Sequence, residues 1–205
     1  MARMVTLVLL CCVAVVLGDA PTSQSAGAAT DAFRSFLLDI QEGNPADLAK
    51  LCIARGVPAQ SLLRDFMDLA SAMGYLRSTV IAKFGPDAVD SVLPPLPTLG
   101  DLDVVKETVN GDRAELSGES VWPIHLIRIQ GRWELDLDWL AQSDDMPVNP
   151  RWFGLMAKAI RRTGDDIASG RLGTAGAAAE AMQARQAAIP DSAGAAAPTQ
   201  PTTQP

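Results

Sequence analysis

Few side chains in this chain could carry out chemistry, and their spacing limits what that chemistry would be. His125 is the only histidine, Tyr75 the only tyrosine, and Cys52 the one cysteine outside an apolar N-terminal run that holds Cys11 and Cys12. Strand register, argued below, sets His125 opposite Asp136. A histidine facing a carboxylate supplies the base and its orienting partner, but a nucleophilic site also needs a nucleophile beside them. None falls there, and cross-strand polar pairs are ordinary on a wetted sheet face. Arg77 is expected inside the apolar stripe of a long helix, where a charge is costly unless it is paired or reaches water. Glu107, expected on the core face of the sheet, is its natural partner, and Trp133 shares that face. Arg77, Glu107 and Trp133 are therefore the candidate pocket residues, with Arg77 as an anion-binding group at the floor or as half of a structural ion pair. One histidine, one cysteine and scattered carboxylates give no zinc-ligand spacing. No catalytic, cofactor-binding or metal residue is assigned. Asp144-Asp145 fits a loop pair and Asp165-Asp166 a helix face.

The element that must position these groups is the stretch from Val104 to Leu140, which predicts two successive β-hairpins. Asn110-Gly111 lies between runs rich in β-branched residues and is the strongest short signal for a two-residue type I′ turn. Gln130-Gly131 is a second, weaker instance. A two-residue loop fixes register. In the first hairpin this pairs Val109 with Asp112, Glu107 with Ala114 and Val105 with Leu116. In the second it pairs Arg128 with Trp133, Leu126 with Leu135 and Ile124 with Leu137. Because side chains alternate across a strand, Val105, Val109, Ala114, Leu116, Ile124, Leu126, Trp133, Leu135 and Leu137 form a core face. Lys106, Arg113, Glu115, Glu134 and Asp136 form an outer face, which also carries Ile127 and Ile129. Two exposed isoleucines on a sheet face call for a cover.

The helices follow from apolar periodicity and end signals. Thr30 serves as N-cap of a first helix with Phe33, Phe36, Leu37 and Ile40 on one side and Gly43 as its stop. Asn44-Pro45 opens a short helix over Ala46–Ile53. Pro58 opens a long one to Phe84, with Leu62, Phe66, Leu69, Ala70, Met73, Val80, Ile81 and Phe84 on one stripe, Tyr75 opposite, and Gly74 as a candidate kink. A brief turn of helix at Asp87–Val92 precedes the Pro94–Pro97 connector. Beyond the sheet, Asn149-Pro150 opens a helix with Trp152, Met156, Ala159, Ile160, Thr163 and Ile167 in line. An Ala-rich helix runs from Thr174 to Ala188. Residues 190–205 have nothing to bury and are expected to be disordered.

The charge balance excludes one class of partner. A net charge of −7 with a pI of about 4.6 and no basic run argues against a nucleic-acid phosphate track. Met1–Gly18 has Arg3 followed by an uncharged, mainly apolar stretch, the form of a secretory signal and short for a membrane span. The chain is expected to be exported, to the periplasm or beyond, with an uncleaved N-terminal tether as the alternative. Cys11 and Cys12 would leave with the signal, so Cys52, at apolar spacing with Leu48 and Leu51, is expected to be buried and free. The expected organisation is signal and linker over 1–28, an α+β domain over 29–140, a helical extension over 149–189 and a tail over 190–205.

The order helix, short helix, long helix and successive hairpins resembles the nuclear-transport-factor-2-like superfamily, and in particular its small exported bacterial members of unassigned function. Phe33–Ile40, the Val-Asn-Gly-Asp-Arg-Ala turn at Val109–Ala114, and Ile129–Leu137 with its Gly-Arg-Trp carry the resemblance, which spans Thr30 to Leu140. It implies three helices packed on a strongly curved antiparallel sheet of two hairpins, a cone-like α+β fold. The superfamily includes ketosteroid-isomerase-like and epoxide-hydrolase-like enzymes, polyketide cyclases and pure binding modules. Isomerase chemistry needs a general base and an oxyanion donor converging in the cone; no residue here matches that pattern, and no catalytic role carries over. The expected function is a non-enzymatic exported domain that binds a protein partner or a small apolar ligand. An isomerase- or hydrolase-type enzyme with an unrecognised acid/base set is the alternative. The outer sheet face is expected to meet a second subunit or the C-terminal helix, with no nucleic acid and no strong membrane binding beyond the signal segment.

Overall fold

The structure, a computed structural model, describes residues 27–94, 102, 105–118, 121–143 and 151–190. The expected signal, the Pro-rich connector from residue 95 on and the tail beyond residue 190 lie outside them. The fold is α+β. In chain order the elements are α1 (Ala28–Glu42), α2 (Pro45–Leu48), a 3-10 turn (Ala49–Leu51), β1 (Cys52–Ile53), α3 (Val57–Phe84), a 3-10 turn (Pro86–Ala88) and α4 (Val89–Val92). Then come β2 (Lys106–Asn110), β3 (Arg113–Gly118), β4 (Val121–Ile129), β5 (Arg132–Asp136), α5 (Leu137–Leu140), α6 (Arg151–Ala168) and α7 (Ala175–Ala187). The five strands make one open sheet in the order β1-β5-β4-β3-β2.

That sheet is mixed rather than purely antiparallel. Cys52 and Ile53, expected to end the short helix, instead pair parallel with Leu135 and Asp136 at the sheet edge. The meander formed by β2 to β5 is antiparallel, as anticipated. In the second hairpin Arg128 faces Trp133 and Leu126 faces Leu135, and both Gln130 (φ 50°) and Gly131 (φ 82°) take the left-handed conformation of a type I′ turn. The ladder with β4 ends at Leu135 and the strand itself at Asp136, so the anticipated Ile124–Leu137 pair is replaced by the start of α5.

The first hairpin differs by two residues. Asn110 pairs with Arg113, Val109 with Ala114 and Glu107 with Leu116, which makes Gly111-Asp112 the loop. Gly111 has φ 61° and Asp112 is not among the residues with positive φ, the pattern of a type II′ turn with glycine first. A shift of two preserves the alternation, so the face assignments survive. Ala114, Leu116, Ile124, Leu126, Trp133 and Leu135 are all buried, and only Val109, at the hairpin tip, is exposed.

The core runs from this face through α1 and α3 to α6, and an aromatic chain marks the path. Phe33 stacks on Phe36 (ring centroids 5.9 Å apart), Phe36 meets Phe66 edge-on (5.2 Å), and Phe66 packs on Phe153 (4.5 Å) beside Trp152. Aromatic pairs at these separations contribute beyond their buried area. Phe153, Met156, Ile160 and Ile167 belong to the same core as the sheet, so α6 is integral to the domain rather than an extension of it. It runs parallel to α3, the contact closing where Gly164 lies against Tyr75 and Gly154 against Asp65. Of the two covers expected for the outer sheet face, this helix or a second subunit, the helix packs on α3. Gly74 is no kink: α3 is continuous, and a Cβ on Gly74 would lie 3.1 Å from Gly43 Cα. The two glycines let α3 and the end of α1 touch backbone to backbone. Among the described residues, no helix is long and apolar enough to cross a membrane.

Candidate functional site

The carboxylates are where a reaction would have to begin, and the fold commits them to helix ends. α1 starts on Gly27 and α3 on Gly56, neither of which has a side chain to cap the helix. The first N–H groups of a helix lack intrahelical acceptors and gather partial positive charge. Glu107, on β2, answers this for α1: its Oε2 accepts from Thr30 N (3.0 Å) and Thr30 Oγ1 (2.8 Å). Thr30 is thus inside the helix rather than its N-cap. Asp138, on α5, does the same at the mouth of α3, with Oδ1 accepting from Gly56 N (2.7 Å) and Oδ2 from Arg55 N (3.0 Å). Asp136 is the N-cap of α5 and accepts from Trp139 N (3.1 Å).

These roles disperse the expected pocket. Arg77 is exposed on α3 and its charge sits in water, so the expectation of a buried arginine is corrected. Glu107 is taken by Thr30. Trp133 is buried as expected, with the Arg128 guanidinium 5.5 Å from its ring centroid. β2 and β5 are separated by two strands, which sets Glu107 and Trp133 apart. Arg128 also donates to Asp112 through Nε (3.0 Å) and Nη2 (2.7 Å), tying the two hairpin tips together.

The His125–Asp136 pair dissolves in the same way. His125 faces Glu115 on β3, with Nε2 to Oε2 at 3.9 Å, and stacks on Trp139 with ring centroids 3.7 Å apart. Asp136 points to its helix instead. Tyr75 lies on the α6 side of α3, off the stripe as expected, and donates to Asp165 (3.0 Å), a bond that raises its pKa. Cys52 is buried and free, its thiol pushed up to about 12 by burial and by the nearby Glu134. A thiol in that state is inert at neutral pH. Among the described residues no group of histidine, cysteine and carboxylate side chains could hold a metal ion.

One polar cluster was not anticipated. Asp166, expected only as part of a helix face, is buried at the junction of α6 and α7. Arg171 Nε donates to its Oδ1 (2.6 Å), and Arg185 Nη2 pairs with its Oδ2. Arg185 Nη1 also donates to Thr163 Oγ1 (2.7 Å), a fully buried hydroxyl that itself donates to Ala159 O (2.9 Å). The two guanidiniums, Arg171 first, hold the Asp166 carboxyl below the usual carboxylate value. The available signal was Arg185 itself, the one basic residue on an Ala-rich helix. Comparison with protein-family models, with curated proteins and with solved structures finds no match to this chain.

Proposed function

We propose that this chain is an exported, non-enzymatic binding module of the nuclear-transport-factor-2-like kind, with a cone-like sheet, and that its partner is a second copy of itself met at the outer sheet face. The observation that carries the non-enzymatic reading is the use of Glu107, Asp136, Asp138 and Asp166 as helix caps and ties. A general base needs a carboxylate or imidazole aimed at substrate, and these carboxylates are aimed at the chain's own N–H and guanidinium groups. A helix, a short helix and a long helix followed by successive hairpins support the kinship, and the apolar run at Met1–Gly18 supports export.

Between the two kinds of ligand, the packing favours a protein. Leu116, Ile124, Leu126 and Leu135 on the inner face are closed off within the continuous core, so a small apolar ligand would have to displace them. The outer face keeps Ile127 and Ile129 only half-buried, and α6, the other cover considered, is packed on α3. Around the isoleucines stand Arg113, Arg132, Glu115 and Glu134, both signs interleaved. A twofold contact brings the same patch against itself, and a patch of mixed sign can set opposite charges face to face. Sedimentation velocity over a dilution series tests the proposal: a dimer dissociating to monomer is expected. A folded monomer at every concentration overturns it.

A further inference from the structure

We infer that α7 is a detachable strap: Ala175–Ala187 leaves the body as one unit, hinged in the Gly170–Gly173 loop and latched by Arg185, while the sheet, α1, α3 and α6 stay folded. The apolar hold on α7 is slight. Of its 13 residues only Ala178 and Met182 are buried, and alanine removes little surface from water. It also lies against α4, and Ile189, just past its end, is buried; its charged attachment is Arg185, bonded to Thr163 Oγ1 at 2.7 Å and paired with Asp166 Oδ2.

What makes opening feasible is the state left behind. A buried ion pair that loses one member normally strands the other charge. Here Asp166 keeps Arg171, which comes from the loop and donates at 2.6 Å, and Thr163 keeps the Ala159 carbonyl. Neither group on α6 is orphaned when Arg185 departs. The loop is anchored at its centre, with Arg171 on the Asp166 carboxylate and Leu172 N on the Asp166 carbonyl (3.1 Å), but its glycines have room to turn: Gly170 has φ 79°, and a Cβ on Gly170 or Gly173 would meet nothing within 4 Å. Few buried apolar contacts and a tie that can be exchanged are the features of a segment that opens below the global unfolding free energy. Opening bares Thr163, fully buried in the latched state, and widens the access of water to Asp166, of which little is exposed.

Native-state hydrogen exchange on the full chain, read by peptide mass, tests this. Amides of α7 are expected to exchange as a group, faster than those of α3 and α6. Arg185→Ala should speed α7 exchange about ten- to a hundredfold, the range for a lost charge-assisted hydrogen bond, with α3 unchanged. Met182→Ala should act on the same segment alone, and Arg185→Lys should restore part of the protection. Exchange in α7 no faster than in α3, or an Arg185→Ala effect spread equally over α3 and α6, overturns the strap.

Discussion

Trp133 and His125 sit on opposite faces of neighbouring strands, one buried against the core and the other stacked on Trp139 in partial contact with water. Replacing a core tryptophan by alanine costs about 3–5 kcal/mol. Thermal melts should therefore show Trp133→Ala far below the parent, with His125→Ala close to it. Equal losses would mean that the sheet faces are reversed. A second residue-scale outcome concerns acid. Arg171 and Arg185 lower the Asp166 pKa from 3.8. A carboxyl depressed in the folded state contributes stability above its unfolded pKa and loses it as pH falls through the folded value. Asp166→Asn should thus destabilise at neutral pH and flatten the acid limb of a stability-versus-pH curve below about pH 4. An unchanged acid limb would remove Asp166 from the titrating set. Individual residues were unevenly legible in the sequence. Cys52 is buried, as its apolar neighbours imply, though on strand β1 rather than on a helix. Arg77 is misplaced because the expected stripe passes over Leu76 and takes in Arg77 and Ile81, both exposed, whereas the buried line runs from Met73 through Leu76 to Val80. Two equally regular lines diverge at Met73, and only the packing partner selects between them.

At the scale of elements, the hairpins and most helix limits were legible, and the exceptions share a cause. Gln130-Gly131 formed the anticipated turn, while Asn110-Gly111 gave way to Gly111-Asp112. Moving the loop along pairs Asn110 with Arg113 and places Asp112 where Arg128 reaches it, a contact between hairpins that the local sequence does not contain. The start of α1 was misjudged at Thr30 because its true cap comes from Glu107, 77 residues away. Long-range capping is invisible to a local signal, though a helix opening on glycine hints at it. Asp138 should matter for the same reason. Removal of a cap costs about 0.5–2 kcal/mol, so Asp138→Ala should lower the unfolding free energy by that margin, read as a lower denaturation midpoint at an unchanged slope. A neutral result would show that the N–H groups of Arg55 and Gly56 are equally well served by water.

For the molecule as a whole, the decisive feature is that α6 completes the core. Phe153, Met156, Ile160 and Ile167 each bury a side chain worth about 1.5–3 kcal/mol, and together they rival a typical domain stability of about 5–15 kcal/mol. A chain ending before residue 150 should fail to show a cooperative melt. A sharp transition in that truncated chain would make α6 an appendage after all. This integration was illegible because periodicity gives the apolar stripe of a helix but not its address. Its placement on α3 leaves Ile127 and Ile129 half-buried on the outer sheet face, and on them the proposed self-association rests. The most direct measurement is the solution mass of Ile127→Glu/Ile129→Glu beside the parent, at matched concentration and with thermal melts on both. The account predicts a dimeric parent and a monomeric variant that melts as an intact fold. A variant with the parent's mass, or a parent that is already monomeric, would contradict it.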